Sequence, residues 1–202
     1  MSLFPMFLKL EGRQCLVVGA GAIAQEKMPS LLEAGGKVKV VAPQVTEPIA
    51  ALARDGRISL DQREFAESDL DGVFLVIAAT SLSDLNRRVF EAARARSILC
   101  NAVDDPNNCD FYYGSVVRRG DLQIAISTAG QSPALAQRLR KQLEVQFGPE
   151  YTDWIRELAA TREDLFAQDI DPQRRKSLLH AVASQEAFDT RHAKREETTH
   201  AR

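Results

Sequence analysis

The chain has 202 residues, 26 Lys+Arg against 28 Asp+Glu, and 45% hydrophobic residues. A net charge of -2 argues against a general nucleic-acid binder, which carries a strong basic excess. No apolar run approaches the ~20 residues that span a bilayer. At this length one or two domains are expected. Cys15, Cys100 and Cys109 are odd in number and lack C-x-x-C spacing, so neither a disulfide framework nor a thiolate zinc site is expected. They fit a reducing, cytoplasmic compartment. Residues 1–10 are apolar but broken by Pro5 and Lys9. They lack the basic region and small-residue cleavage site of a signal peptide.

In chain order, strands are expected at 14–18, 38–41, 73–79 and 98–103. Each is near-continuous in apolar residues, as in parallel strands covered on both faces. Residues 58–60 make a weaker, edge candidate. Helices are expected near 22–34, 45–55 and 82–96. This alternation predicts an α/β fold with a Rossmann-type parallel sheet over residues 1–113.

The pattern changes after Pro106. Residues 115–117 and 122–127 flank Arg118-Arg119-Gly120-Asp121, which reads as a β-hairpin with Gly120 in its turn. Leu122, Ile124 and Ile126 share one face, and a lone hairpin cannot bury it. Ser132-Pro133 opens a helix with Leu135, Leu139, Leu143 and Phe147 along one stripe, closed by Gly148-Pro149. A helical domain is expected over 148–190. One helix carries Tyr151, Trp154, Ile155, Leu158, Leu165 and Phe166, and a last one, begun by Asp171-Pro172, carries Leu178, Leu179 and Val182. Residues 191–202 are polar and are expected to be disordered.

Gly19-Ala20-Gly21-Ala22-Ile23-Ala24 is a G-x-G-x-x-A motif between a predicted strand and a predicted helix, the context that gives it meaning. Gly19 permits the tight turn, Gly21 admits a pyrophosphate, and Ala24 lets the helix approach the sheet. The acidic residue usual after the second strand is missing. That strand ends in Ala42-Pro43-Gln44, and no carboxylate follows until Glu47. Ribose contacts are therefore expected from backbone groups or Gln44, and no arginine lies nearby to hold a 2′-phosphate.

His180, His192 and His200 all lie in the last fifth of the chain, away from the nucleotide half. Tyr112-Tyr113 lacks the lysine spacing of short-chain dehydrogenases. Asp104, after a predicted buried strand, stands where ligands of open α/β sheets bind and where a carboxylate can take a proton. Its type, like that of Asp105, also suits a turn before Pro106.

Residues 1 to about 147 resemble the precorrin-2 dehydrogenase/sirohydrochlorin ferrochelatase family, the N-terminal module of siroheme synthase. The resemblance rests on Leu3-Phe4-Pro5-Met6-Phe7, Val17-Val18-Gly19-Ala20-Gly21, Lys27, Leu31-Leu32-Glu33-Ala34-Gly35 and Val40-Val41-Ala42-Pro43. It continues through Ile77-Ala78-Ala79-Thr80, Asn101-Ala102-Val103-Asp104, Ser115-Val116-Val117-Arg118-Arg119-Gly120 and Ile124-Ala125-Ile126-Ser127-Thr128-Ala129-Gly130. Ser132-Pro133-Ala134-Leu135-Ala136 and Arg138-Leu139-Arg140 close it.

The resemblance implies that NAD accepts a hydride from precorrin-2 to give sirohydrochlorin, with ferrous iron then a possible second substrate. It implies Asp104 as the proton-handling residue. It implies nucleotide contacts at Gly19, Gly21, Ala22, Ile23, Pro43 and Gln44, to which Ala24 and Thr80 belong by position in their motifs. It implies a homodimer formed through 114–147, which would cover the hairpin's open face. The substrate carboxylates would meet Arg118, Arg138, Ser127 and Thr128, with Arg119, Arg140 and Lys141 as further basic candidates. Gly114 stands where the family commonly has proline, so the loop after Tyr113 is expected to differ in shape. The methyltransferase half of fused synthases is not in this sequence, so precorrin-2 is expected from a separate enzyme. Two other readings stay open: a nucleotide-sensing regulatory module, which usually keeps the acid after the second strand, and a dehydrogenase of an unrelated small molecule.

Overall fold

Near-continuous apolar runs make β1 (Gln14–Val18), β2 (Lys37–Val41), β4 (Leu75–Ala78) and β5 (Leu99–Ala102), and a short edge strand makes β3 (Ser59–Asp61). They form one sheet in the order β3-β2-β1-β4-β5, parallel throughout. The computed structural model describes residues 3–200, with side chains through Ala193. Helices α1 (Ala22–Glu33), α2 (Glu47–Arg54) and α3 (Ser83–Ala95) cross between the strands. Alternate residues of one strand therefore serve two cores. Val17, Val40 and Ile77 meet Met28, Leu31 and Ile49 on one face. Leu16, Val18 and Val76 meet Val89, Phe90 and Ala93 on the other. Covering both faces is what removes polar residues from the central strands. The expected Rossmann-type architecture is present, and its strand order reverses between β1 and β4, where such sheets bind ligands.

The open edge at β3 is fixed by charge. Asp69, in a 3-10 turn over Glu67–Leu70, is buried. Its carboxylate accepts from Arg63 Nη1 at 2.8 Å and Nη2 at 2.5 Å, from Lys39 Nζ at 3.2 Å and from the Ala66 N–H at 2.9 Å. The Arg63 guanidinium, then the backbone and Lys39, hold this carboxyl well below the usual carboxylate range, against the opposing effect of burial. A lowered folded-state pKa stabilises the fold above the unfolded value of about 4 and is lost as pH falls below it. Asp69→Asn should thus destabilise the first unit by about 2 kcal/mol at pH 7, because it removes the buried charge to which Arg63, Lys39 and the Ala66 N–H donate. In urea melts the deficit should shrink as the pH is lowered from 5 to 3, and a deficit independent of pH contradicts this assignment.

The chain divides into two compact units, Met1–Tyr113 and Gly114–Arg202. The second begins with the hairpin β6 (Ser115–Arg119) and β7 (Leu122–Ile126), antiparallel with Arg119 opposite Leu122. Gly120 takes φ +58° in the two-residue turn, as primed hairpin turns require. Helix α4 (Pro133–Gln146) is capped by Ser132 Oγ, which accepts from the Leu135 N–H at 3.2 Å. Arg119 closes its other end, donating to Phe147 O at 2.7 Å and Glu144 O at 3.0 Å. Contacts of α4 and α5 with the hairpin cover part of the face that the strands alone leave open. Gly114 tolerates no side chain, since a Cβ would stand 2.8 Å from Ile126 O.

Helices α5 (Tyr151–Ala167) and α6 (Pro172–Val182) follow, and a further helix, α7 (Gln185–His200), extends the chain. The segment expected to be disordered from 191 is therefore helical through His200, and Ala201 and Arg202 lie outside the described residues. The apolar pattern gives no warning of α7 because, among the described residues, an aromatic ring and an ion pair anchor it rather than an apolar stripe. Phe188 is buried against Tyr151 and Trp154, with ring centroids at 4.6 and 4.8 Å. Arg191 donates to Glu157 from Nε and Nη2, at 2.5 and 2.6 Å. No helix among the described residues is long and apolar enough to cross a membrane.

Candidate functional site

The glycine loop sits at the tip of β1. The Gly19 N–H donates to Val41 O at 2.9 Å, and the Ala79 N–H to Val18 O at 2.8 Å, so the tips of β2, β1 and β4 are tied together. Gly19 has φ +103°, and a Cβ there would lie 2.4 Å from Ala79 O. Gly21 caps α1 without a side chain, and the first turn holds no acidic residue. A Cβ on Gly21 would meet open space. Ala24 is fully buried where α1 crosses the sheet, whereas Ala22 and Ile23 are exposed at the helix start. An uncapped, uncompensated helix start with bare backbone before it fits an anion.

A cavity of about 620 Å³ opens over this loop, lined among others by Gly19, Gly21, Pro43, Gln44 and Thr80. The 43–46 segment is brought there by the Thr46 N–H, which donates to Ala20 O at 3.1 Å. Thr80 is locked by the buried Asn86. Its hydroxyl donates to Asn86 Oδ1 at 2.7 Å, and Asn86 Nδ2 donates to Thr80 O at 3.0 Å. Volume, backbone approach and helix start together suit the pyrophosphate and adenosine of a dinucleotide.

Three lining residues have no linear signal: Glu64, Phe65 and Arg88. Glu64 and Phe65 follow β3, and Arg88 comes from α3, so only parallel topology brings them to the tip of β2. This corrects the expectation that no arginine lies near. Arg88 lines the cavity, its guanidinium carbon 5.9 Å from the Phe65 ring centre.

Asp104 stands just past β5 on the same edge of the sheet, outside the cavity lining. Its backbone is left-handed, φ +61°, and its side chain is exposed. A conformation that is unfavourable for most residues persists only where surroundings impose it. Here residues 109–111 strap the end of β5. The buried Asn101 donates from Nδ2 to Phe111 O at 2.8 Å, and Asp110 accepts from the Cys100 N–H at 2.9 Å. The Cys109 thiol reaches Ala102 O at 3.1 Å inside the loop. Burial raises the Cys109 pKa and pushes Cys100 up to about 12, so both are neutral thiols at pH 7. Asp105 serves the turn. It accepts from Asn108 Nδ2 at 2.6 Å, and its N–H donates to Ala102 O at 3.2 Å. Of the two aspartates, Asp104 is the one whose carboxylate has no partner among the described residues.

The remaining candidates belong to the second unit. Ser127 Oγ accepts from the Ala129 N–H and Thr128 Oγ1 from the Ser132 N–H, each at 3.1 Å, so both hydroxyls shape the loop before α4. Arg118 and Arg138 are exposed with no ion-pair partner among the described residues. Arg119 is taken up by the end of α4, and Arg140 by Glu144. His180 lies on α6, and the ring of His192 lies 6.0 Å from Phe188. Among the described residues no three His, Cys, Asp or Glu side chains form a group able to hold a metal ion.

A doubly wound parallel sheet, a glycine loop feeding an uncapped helix and a cavity over the reversal of strand order define a dinucleotide-binding protein. Residues 6–115 match the NAD(P)-binding family NAD_binding_7, and residues 119–146 match the sirohaem biosynthesis protein central family. The chain belongs to this NAD(P)-binding family. It is 42% identical over 151 residues to the siroheme synthase of Nitrosococcus oceani, covering 75% of this chain and 32% of the relative. It is 40% identical over 188 residues to siroheme synthase 1 of Pectobacterium atrosepticum, covering 93% and 37%. The chain thus spans about a third of the length of these relatives. The solved structure of SirC, a precorrin-2 dehydrogenase, superposes with TM-score 0.78 and 28% identity, covering 91% of both chains.

Proposed function

We propose that this chain oxidises precorrin-2 to sirohydrochlorin, with NAD as the hydride acceptor, in siroheme biosynthesis. The observation that carries this reading is the likeness to SirC along 91% of both chains, not along the nucleotide half alone. Gly19, Gly21 and the first N–H groups of α1 would hold the pyrophosphate. Pro43, Gln44 and Thr80, which line the same cavity, would flank the adenosine. When bound, NAD supplies the acceptor for one hydride.

Oxidation also releases a proton, and Asp104 is the base proposed to take it. Its carboxylate is unpaired, exposed and held at the sheet edge by a strapped loop. Ferrous iron insertion is the second reaction proposed for the same base, since pyrrole N–H protons must leave there too. The name siroheme synthase borne by the relatives supports it. Arg118 and Arg138, unpaired guanidiniums, suit the carboxylates of a tetrapyrrole, and Ser127 and Thr128 complete the proposed substrate set. A second copy of the chain is the proposed partner of the hairpin and α4, supported by the exposure of Leu135 and Val145.

Anaerobic incubation with precorrin-2 and NAD should yield the visible spectrum of sirohydrochlorin, dependent on NAD. No such product would overturn the reading. Ferrous or cobalt ion added to sirohydrochlorin tests the second reaction separately, and light scattering on the eluting protein tests the dimer.

A further inference from the structure

We propose that Glu64 is the residue that selects NAD over NADP, replacing the carboxylate that β2 lacks. This rests on the NAD(P)-binding reading and not on the tetrapyrrole. In dinucleotide folds an acid at the tip of the second strand accepts from the adenosine ribose hydroxyls and repels a 2′-phosphate. Here β2 ends in Ala42-Pro43-Gln44. Its neighbour β3 runs parallel to it with Asp61 opposite Val41, so the chain beyond Asp61 emerges at the same edge. Three residues later Glu64 lines the cavity beside Pro43 and Gln44.

The backbone that carries Glu64 is pinned on both sides. Arg63 donates to Asp61 at 2.8 Å and twice to the buried Asp69, and its Nη1 also donates to Glu64 O at 3.0 Å. On the other side Phe65 is buried in the core against α3. The ion cluster at this edge thus fixes the backbone that carries Glu64 while consuming Lys39 and Arg63, the nearby cations of β2 and of the turn after β3. Lys39 and Arg63 are both engaged by Asp61 and Asp69. The Glu64 carboxylate is exposed and has no ion-pair partner among the described residues.

Arg88 lines the same cavity with the opposite charge, but it arrives from α3, after β4. Its guanidinium lies over the Phe65 ring, where it suits a planar base better than a phosphate beside Glu64. The two charges therefore make opposite forecasts. Control by Glu64 gives preference for NAD, and control by Arg88 gives preference for NADP.

Isothermal titration of the full chain with NAD and with NADP, without tetrapyrrole, decides between them. The wild type should bind NAD at least about tenfold tighter than NADP. Glu64→Gln keeps a hydrogen-bond acceptor and removes the charge, so NADP should tighten about tenfold while NAD changes little. Glu64→Ala should weaken NAD itself. Arg88→Gln should leave the NAD:NADP ratio unchanged. Circular dichroism melts of each variant should match the wild type, because both side chains are exposed. Equal affinities in the wild type, an unmoved ratio in Glu64→Gln, or a ratio set by Arg88→Gln each overturns the proposal. Binding of neither cofactor overturns it together with the dinucleotide reading. Selective NAD binding without precorrin-2 oxidation would uphold it and sink the tetrapyrrole reading alone.

Discussion

Asp104→Asn should lower the rate of NAD-dependent precorrin-2 oxidation by about 100-fold or more, the usual worth of a positioned base. It should leave the thermal melt and NAD affinity unchanged. The substitution is well suited to the question because of the backbone. Asp104 has φ +61°, a region that Asn and Asp tolerate better than other side chains and that would strain alanine. Asparagine keeps the shape, the polarity and the left-handed turn and removes only the proton-accepting charge. Asp105→Asn provides the contrast. Asp105 accepts from Asn108 Nδ2 and anchors the turn, so its loss should loosen the loop and reduce the rate far less. Full turnover in Asp104→Asn, read from the visible absorbance of the product, would reject the assignment of the base.

The choice between those two aspartates shows where sequence reasoning stops. Both follow a buried strand and precede Pro106, and either type suits a turn. What separates them is that Asn108 takes up the Asp105 carboxylate while Asp104 is left without a partner among the described residues, in a loop strapped from Asn101 to Phe111 and from Asp110 to Cys100 across ten residues, which no spacing rule encodes. The sheet was legible because covering both faces leaves a continuous apolar signature in Leu16-Val17-Val18 and Val76-Ile77-Ala78. The glycine loop was legible because its constraints are local. Glu64, Phe65 and Arg88 were not, since their neighbourhood with Gln44 arises from strand order. A search for an acid along the chain after β2 stops at Glu47, and a search through space finds Glu64 at the tip of the next strand. Helix α7 was hidden for a related reason. Among the described residues Phe188 and Arg191 hold it by an aromatic cluster and an ion pair, and a charged surface around them reads as a frayed tail.

The two glycines of the loop should fail in different ways. Gly19→Ala should destabilise the first unit by about 3 kcal/mol or more, because it combines a φ of +103° with a Cβ 2.4 Å from Ala79 O. That oxygen belongs to the backbone at the tip of β4, so relief means parting β1 from β4 just where the Ala79 N–H bonds Val18 O. The cavity opens over this same junction, and NAD affinity should fall with the fold. Gly21→Ala should melt like the wild type. Gly21 has φ -84°, ordinary for alanine, and its Cβ would meet nothing in the protein. That methyl would instead project into the space where a pyrophosphate must approach the backbone, so NAD should bind about tenfold or more weakly. Paired melts and titrations read the two effects apart. A stable Gly19→Ala would mean that the strand tips give way easily. Unchanged NAD affinity in Gly21→Ala would mean that the dinucleotide does not cross this loop.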